Sequence, residues 1–400
     1  MVFERKLTET IQEGLIYYIN GQRFISRALN CGENTYKIKG TEIYLFAENI
    51  KAEPEIRIDA EYLDIGIKGY NKVFEVLQSI GCIFRLMISV VLQNTISIYN
   101  ENTIEKNYNL YIEINLTYNV QNYPFTITRS KILSPQSKDN ILNELLCLAE
   151  KIVMKYRFMF TLPLMPLKSN KYHTILAAGV GGLLIHECIG HNLEADIYYK
   201  KDSLLNNKIG MKIFNSTINI SDCCNKSNYI NFELSSDGTK AQNVNLIKSG
   251  IVESVMSDKF TSLYYHIADT GNGRIASFEN RVLPRMRNTY LEKGCCHPEQ
   301  MVNSMKEGLI ALESCGGSVD VVTGEFILHV SIGGIIMRGE LVGLTFPYIL
   351  RGNVLQTLNC ISEIGNDLEF KHTKCIKDGQ EIKVSFGCPT IRLENQNVYC

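Results

Sequence analysis

The residue types best suited to chemistry lie close together in residues 186–191, which read HECIGH. Two imidazoles beside a carboxylate, here His186, His191 and Glu187, are the groups that a hydrolytic zinc centre needs. The segment follows an apolar, glycine-containing run over residues 176–185, which predicts a buried helix leading into a site. The alternative is that two histidines fell near a glutamate by chance on a core helix.

The spacing of the two histidines requires a distorted helix. In the common HExxH pattern the histidines are four positions apart, so their side chains point roughly 40° from each other. His186 and His191 are five positions apart, and at about 100° per residue they would point about 140° apart. An inserted π-type turn brings such a pair onto one face. We therefore predict a π-bulge or local break at residues 188–191, where Gly190 lets the backbone deform with least strain.

When the segment at residues 186–191 is extended to residue 196, it resembles the HExxxHxLExD signature of the TldD/PmbA metallopeptidases, also called modulators of DNA gyrase. Three later groups of residues resemble motifs of the same family, in the same order. They are residues 271–274 with 284–290, residues 316–326, and residues 364–367 with 375–380 and 389–390. The motifs together lie within residues 175–392, so the resemblance covers the C-terminal part of the chain.

The zinc centre needs a third protein ligand, because catalytic zinc takes three and leaves one position for water. The residues alone leave this ligand open among every Asp, Glu, His and Cys. The resemblance implies Cys375, which occupies the ligand position of the family's CGKxGQ motif. Without the resemblance, Cys375 would be interpreted as a buried structural thiol. Ile376 stands where the family has glycine, and a branched residue takes positive φ only with strain, so we expect a loop of different shape.

Several charged residues near these ligands have two interpretations each. Glu187 is expected to take a proton from the zinc-activated water and return it to the leaving amine; otherwise it is a carboxylate on a helix surface. Glu194 and Asp196 either orient the imidazoles or are solvated charges at a helix end. Arg285 and Arg287 either bind a peptide carboxylate or an oxyanion, or they brace a loop.

The four histidines after residue 191 have no metal-like spacing to the main motif, and we expect surface or core positions for them. They are His266, His297, His329 and His372. The run at residues 295–297, two cysteines and a histidine, superficially suggests another metal site. Adjacent cysteines do not easily share a tetrahedral ion with a neighbouring histidine, so we do not predict one there.

Periodicity predicts several elements in the N-terminal part. Apolar residues at helical spacing predict helices over residues 4–20 and 69–86. Strict alternation over Asn109–Tyr118 predicts a strand with one core face and one wet face. Ser134 followed by proline predicts the start of a helix that runs to about residue 158.

The sequence predicts an α+β protein of two domains. Two prolines within residues 162–166 interrupt regular structure, so we predict an N-terminal α/β domain over residues 1–162 and a C-terminal metallopeptidase domain over residues 163–400. Hairpin patterns over residues 244–255 and 326–346 predict a curled, barrel-like antiparallel sheet. We expect the HExxxH helix to pack against that sheet.

The composition of the chain limits which cellular compartment and which classes of partner we expect. The chain has 400 residues with 41 basic and 42 acidic side chains, which favours neither nucleic acid nor a membrane surface as a partner. The mixed charges of residues 1–6 do not resemble a signal peptide, and 13 cysteines fit reduced thiols better than a disulfide framework. We expect a cytoplasmic protein.

The resemblance implies a Zn²⁺-dependent peptidase of unfolded or extended peptides, with roles such as removal of leader peptides. It also implies a dimer, either of two like chains or with a metal-free paralogue. A flexible peptide could add as a strand to a sheet edge near residues 323–346. The alternatives are an inactive relative that binds peptides or scaffolds a complex, and a hydrolase of non-peptide amides.

Overall fold

A computed structural model describes the backbone of residues 83–99, 103–121, 123–133, 140–200, 203–224, 232–276 and 280–400, with short pieces between residues 9 and 79. Among the helices in these ranges, none has both the length and the apolar character needed to cross a membrane. The fold is α+β.

The described residues before residue 134 form two antiparallel sheets. Their strands are β1 (Glu9–Ile11), β2 (Gly14–Ile19), β3 (Gln22–Ile25), β4 (Ile38–Lys39), β5 (Glu42–Ile43), β6 (Ile83–Tyr99), β7 (Thr103–Val120) and β8 (Tyr123–Leu133). The first four strands form one sheet and the next four form the other. The helix predicted over residues 4–20 was wrong, because Gly14 disfavours a helix and the aromatic and β-branched residues that follow it favour a strand.

Helix α1 (Ile141–Tyr156) packs on the second sheet. The strand predicted over residues 109–118 is confirmed within β7, where Ile112 and Ile114 are fully buried. The helix predicted to reach residue 158 is confirmed in α1, and its proposed start at Ser134 lies outside the described residues. Residues 72, 73 and 75–77 are helical as predicted, but the end of that predicted helix belongs to β6.

The C-terminal part alternates short helices with many strands. Its elements are β9 (Leu164–Met165), β10 (Asn170–Leu176), α2 (Gly182–Ile185), α3 (Ala195–Tyr199), β11 (Ile220–Cys223), β12 (Val244–Lys248), β13 (Ile251–Val252), α4 (Lys259–Tyr265), β14 (Gly273–Arg274), β15 (Leu283–Pro284), β16 (Asn288–Leu291), α5 (Pro298–Asn303), β17 (Glu307–Val319), β18 (Glu325–Met337), β19 (Glu340–Thr345), β20 (Tyr348–Asn353), α6 (Val354–Asn359), β21 (Ile361–Ile364), β22 (Glu369–Lys377), β23 (Gln380–Cys388) and β24 (Ile391–Tyr399). Single 3₁₀ turns lie at Met159–Thr161 and His191–Leu193.

Five strands close into a barrel in the order β17, β10, β24, β20 and β18, since β18 pairs back to β17. The predicted barrel-like sheet is therefore confirmed. The hairpin predicted over residues 326–346 is β18–β19, and its two-residue turn places Arg338 and Gly339 at positive φ, as hairpin turns of this length require. The peptide-binding edge predicted near residues 323–346 stays a prediction. Among the described residues, β18 has paired neighbours on both sides, whereas β19 pairs beyond β18 only at Leu344 and Thr345, with β9.

A second sheet has the order β13, β12, β11, β16, β23 and β22. Its β12–β13 hairpin confirms the turn predicted within residues 244–255. The helical segment that begins with α2 lies between this sheet and the barrel, as its position in the largest hydrophobic core shows. That core includes Ile185 and Ile189 from the segment, Leu246 from the sheet, and Val330 and Leu350 from the barrel. The predicted packing of the HExxxH helix against the barrel is confirmed.

A second hydrophobic core contains residues from both halves of the chain. It contains α1 and the buried face of β7, together with Leu312, Ile332 and Leu344 from the barrel strands and β19. The domain boundary between residues 162 and 163 stays a prediction. The barrel nevertheless contributes side chains to the N-terminal core.

Candidate metal centre

The two histidines of the HExxxH segment close a π-helical turn over His186–Gly190, in which the backbone N–H of His191 donates to the carbonyl of His186. A hydrogen bond of this span adds one residue to the turn. The two imidazoles therefore share a face, with ring centroids 5.0 Å apart. The predicted π-bulge is confirmed, and the turn begins two residues earlier than residue 188.

Gly190 is required for close packing rather than for backbone freedom. Its φ of −55° is ordinary for a helix, so the reason that we gave from the sequence was wrong. A Cβ at this position would lie 1.8 Å from Sδ of Met286, a fully buried side chain. The segment between β15 and β16 therefore approaches the π turn more closely than a larger residue at position 190 would allow.

Cys375 reaches this turn from β22, in the second sheet. Its Sγ lies 3.4 Å from Nε2 of His191, and the ligand atoms of His186, His191 and Cys375 all lie within 4.8 Å of one another. Tetrahedral zinc, with bonds of about 2.0–2.3 Å, places such atoms about 3.5 Å apart. Among the described residues, this is the one group of three or more potential ligands with such proximity.

The chemistry of the three side chains fits zinc. Burial raises the pKa of Cys375, but hydrogen bonds from His186 and His191 outweigh burial and lower the pKa to about 5. The side chain is therefore a thiolate at neutral pH, which is the form that binds metal. Nδ1 of His186 is buried with no hydrogen-bond partner among the described residues. Two imidazole nitrogens and a thiolate form a donor set that zinc accepts.

Glu187 points toward the same face of the turn. Its Oε2 lies 4.0 Å from Nε2 of His191, and its side chain is 26% exposed, against 12% for that of His191. A carboxylate that is close to the candidate ligands and still reached by solvent is suitably placed to exchange a proton with water.

Glu194 orients the second imidazole. It is fully buried, and its Oε2 accepts hydrogen bonds from Nδ1 of His191 at 3.0 Å and from Nζ of Lys377 at 2.9 Å. Burial raises the pKa of Glu194, but Lys377 and His191 outweigh burial and lower it. On the histidine, burial lowers the pKa, whereas Glu194 and Cys375 raise it to about 10. Of the two interpretations of Glu194, the structure favours the orienting one.

Lys377 is the residue near the site whose contacts sequence reasoning missed. Its ammonium also donates to Oδ1 of Asp196 at 2.6 Å and to the carbonyl of Pro284 at 3.1 Å. Burial lowers the pKa of Lys377, but Glu194 and Asp196 raise it. The lysine therefore links the end of β22 to the segment after the histidines. Its place in the CGKxGQ-like motif was the available signal.

Arg285 braces the strand that carries the thiol, and Arg287 braces β11 of the same sheet. Arg285 is buried and donates to the carbonyls of Cys375 at 2.8 Å and Gln380 at 3.2 Å. Arg287 is equally buried and forms an ion pair of 3.0 Å with Asp222. Because both guanidinium groups are buried and donate to protein oxygens, the structure favours the bracing interpretation over substrate binding.

Ile376 does not reshape the loop that presents Cys375. It lies within β22, where it pairs with Glu381 and is 67% exposed. The positive φ values fall on Asp378 and Gly379, which form the two-residue turn to β23. The expected change of loop shape was therefore wrong, because this position needs only an extended backbone.

The other histidines have the structural positions expected of them. His266 ends α4 with a left-handed φ, and His297 precedes α5 as its N-cap residue. His329 is exposed. Partial burial and the nearby Lys383 lower the pKa of His372 to about 4, so this ring is neutral at pH 7. None of them joins a group of potential metal ligands among the described residues.

Comparison with known proteins agrees with this geometry. A family model for the PmbA/TldA metallopeptidase C-terminal domain matches residues 169–399. A "Metalloprotease TldD homolog" of Buchnera aphidicola is 34% identical over 233 residues, which are 58% of this chain and 48% of that protein. A "Zinc metalloprotease TldD homolog" of Saccharolobus solfataricus is 31% identical over 237 residues, which are 58% of this chain and 52% of that protein. The crystal structure of TldE from Thermococcus kodakarensis has a TM-score of 0.67 at 16% identity, covering 84% of this chain and 74% of that one.

These matches show that the C-terminal part of the chain is a metallopeptidase-type domain. The chain belongs to the PmbA/TldD family, with the C-terminal domain of that family at residues 169–399. The chain spans about half the length of the curated relatives that it matches. The structural likeness to TldE extends to most of the chain and shows a shared fold.

Proposed function

We propose that the protein is a zinc-dependent peptidase that hydrolyses unfolded or extended peptides. The observation that supports this most is the convergence of His186, His191 and Cys375 beside the carboxylate of Glu187. These three residues would hold the ion. When bound, zinc supplies Lewis acidity and an acidified water.

The protein's own side chains have separate tasks in this proposal. Glu187 accepts a proton from water and returns it to the amine that leaves. Glu194 keeps the imidazole of His191 oriented through the hydrogen bond to Nδ1. Arg285 and Lys377 fix the strand of Cys375, so the thiolate is positioned before an ion arrives.

We also propose the substrate class, assembly and compartment. Extended peptides are suitable substrates because folded proteins do not present free strands, and removal of leader peptides is a role consistent with them. The family resemblance supports a cytoplasmic dimer, of two like chains or with a metal-free paralogue. The curated relatives named above are metalloproteases, which supports a peptide as the substrate.

The test combines metal analysis with peptide digestion. We expect wild type to bind one zinc per chain and to cut an unstructured peptide. Glu187→Gln should retain zinc and lose activity by a factor of about 10²–10⁴, whereas Cys375→Ala should lose zinc and activity together. Cys400→Ala, which changes an exposed cysteine at the end of the chain, is the matched control and should behave as wild type.

Four outcomes would contradict parts of the proposal. Full activity of Glu187→Gln would remove the glutamate from the mechanism. Stoichiometric zinc without hydrolysis would favour the alternative of an inactive peptide-binding or scaffolding subunit. Cleavage of small amides but not of peptides would indicate a hydrolase of non-peptide substrates, and equal cleavage of an extended peptide and its folded parent would exclude selection for extended chains.

A further inference from the structure

A cavity of about 320 Å³ adjoins the candidate metal centre, between β8, β17 and β22. Leu183 and Phe386 line it and also belong to the surroundings of the histidines. Leu183 lies one helical turn before His186, and the ring of Phe386 is 5.8 Å from that of His186. The cavity and the metal centre therefore share a wall.

The base of the cavity contains a buried carboxylate that is shared by three cations. Glu313 of β17 accepts a hydrogen bond from Arg129 at 2.5 Å and one from Lys371 at 2.9 Å, and Nζ of Lys155 lies 3.5 Å away. The hydroxyl of Tyr156 also donates to Glu313. These side chains come from β8, α1, β17 and β22, so the cluster forms only in the folded chain.

Negative charge is in deficit in this cluster. Beyond Glu313, the nearest carboxylate is that of Glu369, which is 3.8 Å from Arg129 and 41% exposed. Three cations, Arg129, Lys155 and Lys371, therefore face one buried and one partly exposed carboxylate. A further carboxylate near these cations would be stabilised by charge and by charge-assisted hydrogen bonds.

The cavity walls are polar. Hydroxyl side chains line it from four strands, and they are Thr126, Thr128, Ser130, Ser314, Ser331 and Thr373. The hydroxyl oxygen of Ser331 is buried with no hydrogen-bond partner among the described residues. A buried polar group without a partner loses free energy relative to one that is paired, so a polar ligand that supplies a partner would be favoured.

The spacing of residues along β22 gives the distance between this cluster and Cys375. Lys371 and Cys375 lie four residues apart on β22, so their side chains point to the same face and are separated by about 13 Å. An extended peptide covers the same distance with about four residues. A group held by Lys371 would therefore lie about three or four residues from a bond cut beside Cys375.

We propose that this cavity is a substrate subsite that binds a carboxylate of the peptide, about three or four residues from the bond that is cut. The carboxylate belongs either to the C-terminus of the peptide or to an aspartate or glutamate side chain. This assignment rests on the peptidase function proposed above. It makes Lys371 and Arg129 the residues that determine specificity.

The test uses the full zinc-loaded chain and four versions of one unstructured peptide. Two versions differ in a free or amidated C-terminus, and two differ in Glu or Gln at the position four residues from the cut bond. Lys371→Met removes the cation that faces the cavity. Lys374→Met is the matched control, because Lys374 is on the same strand but forms its ion pair with Glu381.

We expect wild type to cut peptides with a carboxylate about ten to a hundred times faster, measured as kcat/KM, since that is the effect of one charge-assisted hydrogen bond. Lys371→Met should lose this preference and still cut the neutral versions, whereas Lys374→Met should keep it. Faster cleavage of the free than of the amidated version would identify the C-terminus as the source of the carboxylate. Faster cleavage of the Glu than of the Gln version would identify a side chain.

A binding measurement separates the subsite from the peptidase activity. Cys315 lines the cavity and is exposed, so carboxylate peptides should slow its alkylation in Glu187→Gln, while amidated, acid-free peptides should not. Cys295 is exposed and does not line the cavity, so it serves as the internal reference. Protection of Cys315 in Glu187→Gln, combined with no cleavage of any peptide by wild type, would overturn the peptidase and keep the subsite. Equal cleavage of all four peptides, with equal protection, would overturn the subsite alone.

Discussion

At the scale of single residues, Glu194 influences the candidate metal centre although it is not one of the three candidate ligands. It is the buried carboxylate that both orients the imidazole of His191 and neutralises Lys377. Carboxylates in this position fix the tautomer of a ligating histidine and raise its basicity. The affinity of the centre for metal should therefore depend on this side chain.

Glu194→Gln should lower the affinity for zinc by a factor of about 10–100, because an amide oxygen is a weaker acceptor for the N–H of His191. Competition with a chromophoric chelator measures the change. Asp196→Asn is the control, since Asp196 contacts Lys377 rather than the imidazole. An unchanged affinity in Glu194→Gln, or an equal loss in both variants, would contradict the orienting role.

At the scale of elements, the π turn at His186–Gly190 depends on its close packing against Met286, which lies between β15 and β16. The turn places two histidines five positions apart on one face, and the contact at Gly190 holds it against the second sheet. Local helix geometry and tertiary packing therefore support the same backbone path at this point.

Gly190→Ala should lower the free energy of unfolding by about 1–3 kcal/mol, because the new methyl group overlaps Sδ of Met286. Denaturant titration measures the loss. Met286→Ala alone should also destabilise, since it leaves a cavity, but the double variant should be more stable than the sum of the two single effects predicts. Strict additivity would show that the contact between these residues is not what requires glycine.

At the scale of the whole molecule, the cluster around Glu313 joins the N-terminal sheet and helix to the barrel and the second sheet. Burial raises the pKa of Glu313, but Lys371, Arg129 and Lys155 together lower it well below its ordinary value. A lowered pKa in the folded state stabilises the protein fully above the unfolded-chain value of about 4.3, and the contribution is lost as pH falls.

Glu313→Gln should lower the free energy of unfolding by about 3–5 kcal/mol at pH 7, because three cations lose their buried partner. The difference from wild type should shrink as pH falls below about 4, because Glu313 of the unfolded wild-type chain gains a proton there while the folded carboxylate stays charged. Thermal unfolding over this pH range measures both effects. Glu307→Gln, at the exposed start of the same strand, is the control. A difference that stays constant with pH would exclude the ion cluster as its cause.

The local patterns of the chain predicted much of the site. The five-residue spacing of His186 and His191 predicted a π-bulge or a local break, because an undistorted α-helix cannot place both imidazoles on one face. Alternation predicted β7, and the turn residues predicted the β12–β13 and β18–β19 hairpins. Where local signals were weak, as over residues 4–20, the helix prediction was wrong.

The sequence by itself determined which residues could do chemistry and which backbone distortion two of them needed, since both follow from residue type and local spacing. Only the tertiary structure decided the rest. It brought the thiol of Cys375 to within 3.4 Å of His191, assigned Arg285 to bracing, and assembled the cluster at Glu313 from four elements. Contacts between residues far apart in the chain depend on how strands pair and pack, and no local pattern specifies that pairing.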